Sequence, residues 1–121
     1  MDVTYTTALK NTRLDAVTTA IGAAGKLEIG TAGMAAVLAT IPLANPAAPG
    51  AASGILTFTM PQSDTSADGT GTAAAARIRT GADADVITGL TVGTSGTDII
   101  LNSTSITTGQ QVTINSATIT D

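Results

Sequence analysis

The chain has 121 residues with five basic and nine acidic side chains, no histidine and no cysteine, giving a formal net charge of −4. That length holds one domain with a real core, and the five scattered cations Lys10, Arg13, Lys26, Arg77 and Arg79 are too few for a surface that tracks nucleic-acid phosphates. Without His or Cys the commonest general base, the commonest metal ligand and the most nucleophilic side chain are missing, so neither an enzyme nor a resident cofactor is expected.

One Phe, one Tyr and no Trp leave Ile, Leu, Val and much Ala to form the core. An Ala contributes on the order of 0.8 kcal/mol or less on burial, against roughly 1.5–3 for a large aliphatic side chain, so the core is thin. Only 12% of residues are charged and the mean hydropathy is +0.34, whereas a typical soluble domain carries about 25% charged residues. The surface must therefore be largely Thr, Ser, Gly and Ala, which favours association with other subunits. Met1-Asp2-Val3-Thr4-Tyr5-Thr6 lacks the basic-then-apolar order of a signal peptide. No apolar run approaches the ~20 residues that span a bilayer, so no membrane partner is expected.

In chain order, residues 1–25 read as an N-terminal helical segment. Thr6 or Thr7 can cap it, Leu14, Val17, Ile21 and Ala24 follow helical spacing, and Gly22 and Gly25 end it. Thr18 and Thr19 weaken its propensity, so packing on a sheet must hold it. Residues 26–121 read as a β-domain. Lys26-Leu27-Glu28-Ile29 alternates, and Ala35, Val37, Ala39, Ile41 and Leu43 make an apolar stripe, with Pro42 marking an edge or a strand end. Residues 45–50 form a turn-rich connector. Leu56, Phe58 and Met60 define the next inward face, residues 61–71 a loop, and Ala74, Ala76 and Ile78 another inward face with Arg77 and Arg79 outward.

Val86 to Val92 continues the pattern, and the last 25 residues nearly repeat themselves, Asn102-Ser103-Thr104-Ser105-Ile106-Thr107 returning as Asn115-Ser116-Ala117-Thr118-Ile119-Thr120. Such β-branched runs around Gly109 predict a closing hairpin. Within its second arm Val112 and Ile114 are even-numbered and Ile119 odd, so a bulge or a change of sheet must switch the face. Strands every 10–15 residues with turns between them predict a mainly β single domain, an antiparallel β-sandwich or small barrel with one N-terminal α-helix.

Few residues suggest chemistry. Asp83 and Asp85 share a face if extended, and Asp64 and Asp68 share a loop; turn chemistry accounts for all four. Asp64-Thr65-Ser66-Ala67-Asp68-Gly69 opens like a calcium loop, with Asp64, Ser66 and Asp68 at positions one, three and five. The twelfth position is Ala75, where the closing bidentate Glu is required, so a structural turn is expected there. Gly22-Ala23-Ala24-Gly25-Lys26 has the wrong spacing for a phosphate loop and reads as a helix stop. Asn102-Ser103-Thr104 has the form of a glycosylation sequon, which means nothing without export. Arg77 and Arg79 project from one face, where they solubilise the protein or protect a sheet edge, or pair with acidic groups of a neighbouring subunit.

Gly25-Lys26-Leu27-Glu28-Ile29-Gly30-Thr31, then residues 63–73 (Ser-Asp-Thr-Ser-Ala-Asp-Gly-Thr-Gly-Thr-Ala), then Asp98-Ile99-Ile100-Leu101-Asn102-Ser103-Thr104-Ser105-Ile106 resemble a family of small, mostly uncharacterised virion structural proteins of tailed bacteriophages and prophages. The likeness runs through nearly the whole chain, but its motifs are strand and turn sequences with no catalytic residues to carry over. It implies a place in the virion, assembled in the host cytoplasm, with the major capsid protein or other virion proteins as partners. The expectation is a head decoration or cement protein, present as a homo-oligomer. A tail, collar or fibre component is the alternative, and a carbohydrate- or calcium-binding module ranks third because the chain lacks aromatic platforms for sugars. With so few aromatic anchors, contacts are expected through strand edges. The terminal strand is the foremost candidate, with Val112, Ile114 and Thr118 as interface residues beside Arg77 and Arg79.

Overall fold

The computed structural model describes residues 4–120. Helix α1 (Thr7–Ile21) starts where the Thr6 hydroxyl accepts a hydrogen bond from the Leu9 N–H at 3.2 Å, and it stops at Gly22, whose φ of 76° suits glycine. Its threonines are poor helix formers, and Thr12 and Thr19 turn their hydroxyls back to the carbonyls of Ala8 and Asp15. Packing compensates, as expected: Leu14 and Ile21 are buried, with Val17 against the same core. The Asp15 carboxylate accepts from the Ala51 N–H at 2.7 Å, and Asn11 accepts from the Gly54 N–H at 2.9 Å, pinning the helix to the segment before the third strand.

Among the described residues ten strands follow: β1 (Lys26–Gly30), β2 (Val37–Pro42), β3 (Ile55–Thr57), β4 (Gln62–Asp64), β5 (Gly71–Thr72), β6 (Ala75–Arg79), β7 (Asp85–Gly93), β8 (Ile99–Leu101), β9 (Ser105–Ile106) and β10 (Val112–Thr120). The main sheet has the order β2-β1-β6-β7-β8-β10-β3, with β4 also paired to β10, while β5 and β9 form a separate ribbon. The protein is mainly β with one N-terminal helix. The sheet is one curled layer, a half-barrel, and it is mixed: β7 and β8 run parallel through Val92↔Ile99 and Gly93↔Ile100, and every other pairing is antiparallel.

The registers place Lys26, Pro42, Arg79, Asp85, Thr120 and Ile55 along one rim. Helix α1 packs against this rim, touching β3 and β7. Leu27, Ile29, Leu38, Ile41, Leu56, Ile78, Ile99, Leu101 and Ile114 are all less than 2% exposed and, with Ile21 from the helix and Ile106 from the ribbon, form one core.

Four details differ from the sequence reading. Residues 61–71 are not all loop, because β4 pairs with β10 and β5 begins at Gly71. The closing hairpin is real only between β8 and β10. Ser105-Ile106 leaves it to pair with Gly71-Thr72, which takes Ile106 into the core from another direction. The stripe on β2 also starts later: Ala35 is exposed in the turn before the strand, whereas even-numbered Leu38 is buried. Leu38 is covered because the chain passes over it at Gly69 and Gly71, where a Cβ on Gly71 would come within 3.2 Å of the Leu38 side chain. Ala74, expected inside, is exposed one residue before β6 begins. The face switch in β10 is a bulge between Ile114 and Ser116, so that Val112, Ile114 and then Ala117 all point inward.

Ile114 is 0% exposed. Ile114→Ala is expected to cost about 2–5 kcal/mol in urea unfolding, and Asn115→Ala, on the exposed side of the same strand, about 0.5 kcal/mol or less.

Candidate functional site

The alternation in β1 and β6 puts Leu27, Ile29, Ala76 and Ile78 in the core, so Lys26, Glu28, Arg77 and Arg79 must face outward together. Register then sets Glu28 opposite Arg77, Lys26 opposite Arg79, and Arg79 opposite Asp85 of β7. The result is a ladder of ion pairs across three strands. Arg77 Nε lies 2.6 Å from Glu28 Oε1, Arg79 Nη1 lies 3.7 Å from the same oxygen, and Arg79 Nε lies 2.7 Å from Asp85 Oδ1. Lys26 closes the rim with Asp83. The two guanidinium groups cover Glu28 so well that only 8% of the residue is exposed. The Asp85 hydrogen bond, with the charges of Asp85, Glu28 and Asp83 behind it, raises the Arg79 pKa above its ordinary value. The hydrogen bond from Lys26 and its charge hold the Asp83 carboxyl below its ordinary value.

Arg77 and Arg79 therefore make their ion pairs within the chain, to Glu28 and Asp85. Asp83 and Asp85 are not a carboxylate pair either, since each has a different cation. A shallow groove of about 270 Å³ lies beside the ladder, lined by Gly33, Met34, Ala75, Arg77, Thr88 and Gly89. It exists because β7 bulges away from β6 between Ile87 and Leu90, where Gly89 has φ 76°. Arg77 is the sole ionisable side chain of that lining, and Glu28 holds its Nε.

Asp64, Ser66 and Asp68 sit where the two ends of the curled sheet meet. Asp64 Oδ2 accepts from the backbone N–H of Thr40 on β2 at 3.0 Å, and its Oδ1 accepts from the Ser66 N–H at 3.0 Å. Asp68 accepts from the Thr40 hydroxyl at 3.3 Å. The backbone N–H groups of Asp68 and Gly69 both reach the Leu38 carbonyl, at 2.8 and 3.2 Å, while buried Ala67 exchanges hydrogen bonds with Gly109 and Gln110. Both Asp64 oxygens are thus engaged by backbone donors, and the calcium-like spacing is a turn that joins β4 to β2. Among the described residues no group of three or more His, Cys, Asp or Glu is placed to hold a metal ion.

The terminal strand is a correction. β10 is not an edge: β8 pairs with Ile114–Ala117 on one flank, β4 with Val112–Ile114 and β3 with Thr118–Thr120 on the other. Val112 and Ile114 are core residues, and the Thr118 N–H donates to the Asp98 carbonyl at 3.1 Å. The absence of Lys and Glu from this strand reflects burial between neighbours rather than an open edge. Thr118→Pro would therefore break an internal bond.

Gly22 to Lys26 is the helix stop leading into β1, and Asn102 and Ser103 are exposed in the turn after β8. The sequence reading missed Asp98, whose Oδ2 accepts from both the N–H and the hydroxyl of Thr91, at 3.0 and 3.1 Å. Neither its position after Gly96-Thr97 nor its spacing singled it out.

Glu28→Gln leaves two guanidinium groups facing a neutral amide in a nearly closed position, and about 2–3 kcal/mol of stability is expected to be lost in denaturant unfolding. Because the Asp83 pKa is lowered in the folded state, its pairing contributes above the ordinary value of 3.8 and is lost as pH falls through the lower folded value. Lys26→Met should therefore flatten the dependence of stability on pH below about pH 4, measured as melting temperature at low ionic strength against pH.

Comparison with protein-family models, with curated proteins and with solved structures finds no match to this chain.

Proposed function

We propose that this chain is a non-enzymatic structural protein of a tailed-phage particle, a decoration or cement protein that binds the major capsid protein on the head. The observation that supports the reading is how the ionic groups are used. Asp15, Lys26, Glu28, Asp64, Asp68, Arg77, Arg79, Asp83, Asp85 and Asp98 each hold a partner within the molecule. What is left to face a neighbour is mostly threonine, alanine, serine and glycine, beside the exposed apolar side chains of Tyr5, Leu9 and Ile55. Tyr5 lies just before α1, Leu9 in its first turn and Ile55 at the start of β3, and the Asn11–Gly54 hydrogen bond ties the helix to the residue before that strand. A small β-shell with a thin core gains stability by mass action when such a surface is covered by subunit contacts. The sequence resemblance to virion structural proteins supports the same reading, with the particle as location and a homo-oligomer as form.

Mass spectrometry of purified particles with absolute quantification tests it. A copy number comparable to that of the major capsid protein is the expected result. A few copies per particle would contradict decoration and favour a tail, collar or fibre position, and absence from the particle would remove the virion reading. Leu9→Glu, on an exposed position, should lower incorporation while changing the melting temperature little.

A further inference from the structure

The curled wall consists of two leaves. One is β2-β1-β6-β7, held by antiparallel ladders of four or five residue pairs. The other is β8-β10 with β3 and β4. The leaves meet at two seams, and at each an aspartate of the second leaf accepts a backbone N–H of the first, Thr91 N–H on Asp98 and Thr40 N–H on Asp64.

The two seams differ in what else holds them. At the Asp98 seam β7 and β8 share two backbone residue pairs, Thr91 and Asp98 are separated by a short turn, and Thr118 of β10 donates to the Asp98 carbonyl. At the Asp64 seam no strand pairing joins β4 to β2. Asp64 is 24 positions from Thr40, and Thr65, Ser66 and Asp68 are exposed. Apart from those of the Asp64 carboxylate, the hydrogen bonds from this strap to β2 are the Thr40–Asp68 hydroxyl bond and the two N–H groups sharing the Leu38 carbonyl.

We propose that the strap from Asp64 to Gly69 is a latch over the β2 edge, opening as a local unit while the rest of the wall stays folded. Opening frees the Thr40 N–H and the Leu38 carbonyl, two groups of a strand edge that is otherwise covered. Pro42, which has no N–H to offer, limits how far that edge extends. Asp64 is the pivot of the latch because it alone bonds both to β2 and to its own turn at Ser66, and opening also withdraws buried Ala67 from its hydrogen bonds with Gly109 and Gln110. This inference is independent of the virion reading.

Native-state hydrogen exchange at increasing urea, below the unfolding transition, tests it on the intact protein. The expected result is that the amides of Thr40, Ser66, Asp68 and Gly69 exchange together, faster than those of Leu27, Ile29, Ile78 and Ile114, and nearly independently of urea. Asp64→Ala should speed the latch amides by roughly ten- to a hundredfold beyond any change in the core amides, the loss of two charge-assisted hydrogen bonds. Asp98→Ala should move the latch amides no more than the core. Exchange of the latch amides at the core rate with the core urea dependence would overturn the proposal. So would an Asp64→Ala variant in which latch and core amides change by the same factor, or an Asp98→Ala variant that frees the latch selectively.

Discussion

A curled sheet of short strands must bring its ends together or leave a backbone edge in water, and here that task falls to one short segment led by Asp64. β2 ends one side of the sheet and β4 lies at the other, with no ladder between them. Asp64 reaches across to the Thr40 N–H, and the following residues pass over Leu38 and take its carbonyl. A carboxylate accepting a backbone N–H is a stronger acceptor than a neutral carbonyl, so a single residue can replace part of a missing strand pair. The placement of Ala67, Gly69, Gly71 and the β5–β9 ribbon follows from that crossing. The ribbon in turn carries Ile106 into a core that has few large side chains to lose.

The same economy of groups shapes the electrostatics. With 12% charged residues, the chain uses its carboxylates mainly as internal acceptors and its cations mainly as internal partners. Asp15 fixes the helix to the loop before β3, Asp98 fixes β7 to β8, and Glu28 holds two arginines across β1 and β6. Pairs like these, when partly shielded from water, keep more of their strength than exposed ones. They also tie exposed carboxylates such as Asp15, Asp83 and Asp85 to partners within the chain.

Much of the fold was legible in the residues because burial imposes a period. The Thr6 cap, the Gly22 stop, the β1 alternation and the bulge that resets β10 all leave marks at fixed spacing. Pairing does not. Ile106 is β-branched and inward in either arrangement, so nothing local distinguishes pairing with β10 from pairing with β5. Nor does an uncharged strand reveal whether it is bare at an edge or sealed between neighbours, and β10 is sealed. At the candidate site, the outward direction of Arg77 and Arg79 followed from alternation, whereas their partners depend on which strands lie beside β6. The Asp64 turn was legible as a turn. Its contact with Thr40 was not, since 24 residues and several strands separate the two.

The hydrogen bond from Thr40 to Asp64 can be observed directly as a scalar coupling across it, in an NMR experiment on uniformly labelled protein that detects magnetisation passing from the Thr40 amide nitrogen to the Asp64 side-chain carboxylate carbon. A sheet closed by that carboxylate predicts a cross-peak between these two nuclei. A Thr40 amide that shows no such coupling and exchanges with water as freely as an open strand edge would contradict the account.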